Sequence, residues 1–105
     1  MSRALQIAVV GSGDADERRD AAAEEVGRAL AEAGATVVCG GLGGVMEAAC
    51  RGAQTAGGIT VGLLPTADAG TANAHVEVVL ATGMGEARNA LVVRSAQVVI
   101  AVGGG

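Results

Sequence analysis

Phenylalanine, tyrosine and tryptophan are all missing from this 105-residue sequence. The core must therefore be assembled from Val, Leu, Ile, Ala and Met, and the rings on which proteins commonly stack unpaired bases do not exist here. Lysine is missing too: seven arginines stand against eleven acids, the net charge is −4, and there is no basic run. The electrostatic footprint of a nucleic-acid-binding surface is thus lacking, and nucleic acid is not expected as a partner. Without lysine a GxxxxGK[ST] phosphate loop is excluded. Long apolar runs are also lacking. The first apolar stretch, residues 5–10, stops at Gly11, whereas a membrane-spanning helix needs about 20 apolar residues and a signal peptide needs a longer apolar stretch and a small-residue cleavage site. A cytoplasmic protein with no membrane partner is expected. Cys39 and Cys50 form no CxxC and have no histidine at metal-ligand spacing. They read as small buried hydrophobes in a reducing compartment, and no metal site is expected.

What is present is an alternation. Apolar residues make up 50% of the chain, enough for one domain and its core. Short β-branched runs, at residues 5–11, 35–39, 59–64, 76–82 and 97–102, read as strands. Alanine-rich stretches at 17–33, 45–56 and 85–95 read as helices. In the first helix Ala22, Val26, Leu30 and Ala33 predict an apolar face, and Glu24, Arg28 and Glu32 predict ion pairs on the opposite face. Asp14 and Glu17 have the form of a capping box and Gly34 that of a helix stop. Glu47 and Arg51 are spaced to pair on the second helix. Residues 66–75, small and polar, read as a mobile loop in which His75, the single histidine, is expected at the surface. Near-continuous apolar strands alternating with helices predict an α/β fold, a three-layer doubly wound parallel sheet of about five strands. Right-handed crossovers then place every strand C-terminus on one edge.

Three glycine clusters fall on that edge: Gly11-Ser12-Gly13, the run Gly40-Gly41-Leu42-Gly43-Gly44, and Gly103-Gly104-Gly105. A glycine cluster can simply make a turn. Three on one edge, two of them opening helices, point instead to an anion held by backbone amides and helix dipoles. The dinucleotide fingerprint G-x-G-x-x-G fails, because Asp16 stands where the third glycine belongs, and no carboxylate ends the second strand to take a ribose hydroxyl. The better phosphate site is the start of the second helix, Gly41 to Val45, with Met46 as an apolar wall and Glu47 one turn in. The segment Thr82-Gly83-Met84-Gly85-Glu86-Ala87-Arg88-Asn89 places Arg88 and Asn89 at a further helix start on the same edge. Arg88 can clamp a phosphate bidentately and Asn89 can bond a ribose or a base edge; a salt bridge for Arg88 is the competing structural role. Arg94, near the end of the same helix, is assigned to the helix dipole or the surface, and no serine sits in a nucleophile elbow. A small phosphate-bearing ligand is the expected partner.

The segments GGLGGVMEAACRGAQTAGGITVGLLP and ATGMGEARNALVVRSAQVVIAVGGG together resemble the LOG-like Rossmann proteins, formerly called lysine decarboxylase-like, and among them most resemble the branch containing molybdenum cofactor carrier proteins. The resemblance runs from Ile7 onward. It implies a homodimer or higher homo-oligomer and a ligand such as molybdenum cofactor or an AMP-like nucleotide, with no further cofactor required. Hydrolytic members remove ribose 5′-phosphate from an adenine-type base with an arginine, which Arg88 resembles, and a glutamate in a GGxGTxxE-type motif. Gly103, Gly104 and Gly105 resemble that motif's opening, and its G-T-x-x-E part would lie past the last residue. The resemblance therefore implies a C-terminally truncated domain that keeps binding determinants and lacks the glutamate of the hydrolytic pair. A binding or carrier domain is the leading expectation. A nucleoside 5′-monophosphate phosphoribohydrolase, or an inactive fragment of one, is the alternative. Exposure of apolar side chains in the strand at 97–102 is expected to cause association or marginal stability.

Overall fold

The computed structural model describes residues 3–103. Five strands, β1 (Gln6–Gly11), β2 (Thr36–Cys39), β3 (Thr60–Leu64), β4 (Val78–Ala81) and β5 (Val98–Val102), form one parallel sheet in the order β4-β3-β2-β1-β5. The chain winds outward from β1 to β4 and then returns to β1's other side with β5. The crevice at the strand C-termini beside β1 is where such sheets receive ligands. The register sets the two faces: Val9, Val37 and Val102 meet helices α1 (Glu17–Glu32) and α2 (Val45–Thr55), while Ala8, Val38 and Leu63 meet the short helix α3 (Arg88–Arg94) through Val92. A third cluster, Cys39, Met46 and Cys50, fills the space where β2 ends against α2. Among the described residues no helix is long and apolar enough to cross a membrane.

Several local expectations are corrected. Asp16, not Asp14, caps α1: its backbone is extended and its carboxylate accepts the Arg19 N–H at 2.9 Å. Asp14 is used one turn earlier, its amide donating to Ser12 Oγ at 3.0 Å. The Arg19 amide holds the Asp16 carboxyl below its ordinary value. Arg28 is shared by Glu25 and Glu32, while Glu24 reaches across to Arg51 of α2 at 2.8 Å. That leaves Glu47 without Arg51, because the two helices lie close enough for a cross-helix pair to win. The apolar face of α1 is rotated by one residue: Ala23 and Gly27 are buried, Val26 and Leu30 flank them, and Ala22 and Ala33 are exposed. The helix expected at 85–95 begins as a 3-10 turn, Gly85–Ala87, before α3. The polar loop is a hydrogen-bonded structure with its own 3-10 turn (Ala69–Thr71), capped by Asp68. Asn73 pins it to the glycine run, its backbone N–H donating to the Gly41 carbonyl at 2.9 Å and its side chain to the Leu42 carbonyl at 2.9 Å. His75 is half-buried against Gln54, 2.6 Å away, and takes no part in the site.

Candidate functional site

The first two glycine clusters come together because Gly44, the N-cap of α2, lies directly under the Ser12–Asp14 loop. Its backbone (φ 64°, ψ −129°) excludes other residues, and a Cβ would overlap the Ser12 carbonyl. The Val45 N–H donates to that carbonyl at 3.0 Å, so it serves the fold rather than a ligand. Among the described residues no backbone group takes the amides of Gly43, Gly44, Met46 or Glu47. They are the donors that a helix start presents to an anion.

Beside them lies a cavity of about 300 Å³. Its walls are Val9, Val10, Gly11 and Gly13 from β1 and its loop, Gly40 and Leu42 beyond β2, Met46 from α2, and Glu86, Arg88 and Asn89 from the last helix start. Arg88 is only 6% exposed. It forms no ion pair among the described residues, and its Nε is buried without a hydrogen-bond partner. Gly40 makes room for it, since a Cβ there would overlap Arg88 Nη1. A buried, unpaired guanidinium is costly to keep and is ordinarily satisfied by something.

The site thus draws Gly11, Gly40, Met46, Arg88 and Asn89 into one cavity, with Ser12, Gly41, Gly43, Gly44, Val45 and Glu47 in the adjoining loop and helix start. Thr82 is turned away, its hydroxyl donating to the Leu64 carbonyl at 2.6 Å. Gly83 and Met84 do not line the cavity, and Met84 is exposed. Gly103 does not line the cavity and sits next to Arg19 of α1; Gly104 and Gly105 fall outside the described residues. Gly13 and Leu42, which belong to the two glycine clusters, line the cavity as well; sequence reasoning did not place Val9 or Val10 there, nor Asn73 against the glycine run. Sequence reasoning gave Glu86 no ligand role, although its place two residues before Arg88, in the same turn, was a usable signal. A wider groove of about 530 Å³ between α1 and α2 carries Asp16, Glu17, Asp20 and Glu24, with Arg51 as its one cation. Its acidity suits no phosphate.

Behind the cavity, Cys39 and Cys50 place their sulfurs 3.4 Å apart, both fully buried. Cys39 Sγ also accepts the Gly41 N–H at 3.3 Å. The contact with Cys50, that amide and the nearby Arg88 charge hold the Cys39 thiol below the usual range, against the opposing effect of burial. The same contact and burial push the Cys50 thiol well above it.

With this geometry in view, the known proteins it resembles form a consistent set. The sequence matches the SLOG cluster4 family over residues 4–105. It is 44% identical over 101 residues to an uncharacterized protein of Archaeoglobus fulgidus, covering 96% of this chain and 66% of that one. The fold superposes on the molybdenum cofactor binding protein of Rippkaea orientalis with a TM-score of 0.95 and 37% identity, covering 100% of this chain and 66% of that chain. For the Moco carrier protein of Chlamydomonas reinhardtii the TM-score is 0.88 and the identity 39%, with 98% and 64% covered. The chain spans about two thirds of the length of these relatives. By sequence and by fold, the chain belongs to the SLOG cluster4 family and is related to the molybdenum cofactor carrier proteins.

Proposed function

We propose that this chain is a binding or carrier domain for a phosphate-bearing, nucleotide-like ligand, with molybdenum cofactor as the first candidate and a purine nucleotide as the second. The observation that carries this reading is Arg88, buried, without an ion pair among the described residues and facing a cavity beside helix-start amides that no described backbone group takes. An anion seated there would satisfy both the guanidinium fork and the amides. Two structural relatives, a molybdenum cofactor binding protein and a Moco carrier protein, make molybdenum cofactor the first candidate.

Calorimetric titration with AMP and with a phosphorylated pterin tests it. Arg88→Ala should weaken binding on the order of 10- to 100-fold, the usual worth of a hydrogen bond to a charged group. The same substitution should leave the ligand-free melting temperature unchanged or raised, because it removes an unpaired buried charge. A lower melting temperature with unchanged affinity would make Arg88 structural and end the proposal. The alternative, hydrolysis of a nucleoside 5′-monophosphate, draws on Glu86, the one carboxylate lining the same cavity. Adenine release from AMP, abolished by Arg88→Ala, would establish it over simple carriage. Homo-oligomer formation belongs to the same proposal and is supported by the exposed sheet face discussed below.

A further inference from the structure

The cavity holds two opposite charges that do not meet. Arg88 and Glu86 lie two residues apart and line the same space, yet they form no ion pair. Glu86 is engaged by a neutral group instead, with Asn89 Nδ2 donating to its Oε2 at 3.0 Å. An ionised carboxylate offers about four acceptor sites, of which Asn89 takes one. The cavity therefore has a donor-only group at its buried end and an acceptor-only group at its exposed mouth. Its ligand must bring an anion to the first and N–H donors to the second.

Building on the proposed function, we propose that Glu86, steadied by Asn89, reads the ring of the ligand and selects 2-amino-4-oxo heterocycles, guanine or pterin, over adenine. The amino group and adjacent ring N–H of such a ring form a two-donor fork that fits the two oxygens of a carboxylate. Adenine sets one amino donor beside a ring nitrogen lone pair, so one carboxylate oxygen would face an acceptor, and a site built for donors rejects a ring that lacks them. Leu42 and Met46 supply apolar walls of the same cavity, and its space of about 300 Å³ suits a bicyclic ring with a short phosphate arm. Phosphate seats inward at Arg88 and the ring outward at Glu86.

Calorimetry on the whole chain with GMP, IMP, AMP and dihydroneopterin phosphate tests this against Glu86→Gln. Wild type should bind GMP, the phosphopterin or both about tenfold more tightly than AMP, with IMP between. Glu86→Gln should lose about tenfold for the two-donor rings and nothing for AMP, because a carboxamide offers one donor and one acceptor. Tight binding by just one of GMP and the phosphopterin supports the proposal and identifies the ring. Equal binding of all four, or an equal loss for all four in Glu86→Gln, overturns ring selection and leaves the phosphate reading standing. If none of the four binds, both fail.

Discussion

At Gly40 an absent side chain creates the place of a present one. The guanidinium of Arg88 rests where a Cβ at residue 40 would be, so Gly40→Ala must either push the arginine toward the cavity or distort the end of β2. Overpacking of this kind costs about 1–3 kcal/mol. We expect a lower melting temperature, together with a loss of ligand affinity as large as that of Arg88→Ala. Retained affinity would mean that the arginine does not need this position. Both residues stand out in the sequence as candidates for the site. Their contact was not, since nothing local marks which glycine faces which arginine across the fold. Asp16 and Asp14 show the same limit on a smaller scale. Each carries a carboxylate of the capping type, yet Asp16 alone caps α1, while Asp14 gives its amide to the Ser12 hydroxyl.

Among the elements, α1 and α2 pack with their backbones close together. A Cβ on Gly27 would overlap the Ala49 carbonyl, and one on Gly52 would overlap the Glu24 carbonyl. Helix propensity alone favours alanine over glycine by about 1 kcal/mol in a helix interior. Contact with a facing backbone reverses that sign. Gly27→Ala should destabilise the protein by about 1–3 kcal/mol in urea unfolding, with the slope of the transition unchanged. A gain in stability would show that the helices can separate freely. The strands and helices could be read from apolar period and glycine breaks because those signals are local. The rotation of α1's buried face could not, since the smallest residue, not the most apolar one, takes the tightest place. The cross-helix pair Glu24–Arg51 follows from that closeness.

For the whole molecule, the two faces of the sheet are unequally covered. Two long helices close one, and the seven-residue α3 lies on the other. Register places Val78 and Leu80 on the α3 side beside Val61 and Leu63, and Val99 beside Ala8. Leu80 is 46% exposed and Val99 42%. Apolar surface of this kind favours association. Sedimentation at micromolar concentration should show a species larger than a monomer, and Leu80→Glu combined with Val99→Glu should return it to monomer. A monomeric wild type would count against the homo-oligomer. The parallel sheet and the edge that carries the glycine loops were foreseeable, because crossover handedness leaves few choices. How Arg88 and Glu86 divide the cavity was not, because side-chain partners at a site are chosen in three dimensions.

The paired thiols behind the cavity give the molecule an internal clock. An alkylating reagent reaches a fully buried sulfur only when β2 and α2 part, so the pace of labelling at Cys39 and Cys50 counts openings rather than collisions at the surface. A ligand that grips the Gly40–Gly41 turn would make those openings rarer in proportion to its occupancy. In a chain without a single aromatic ring, two silent sulfur atoms can thus record when the site is filled.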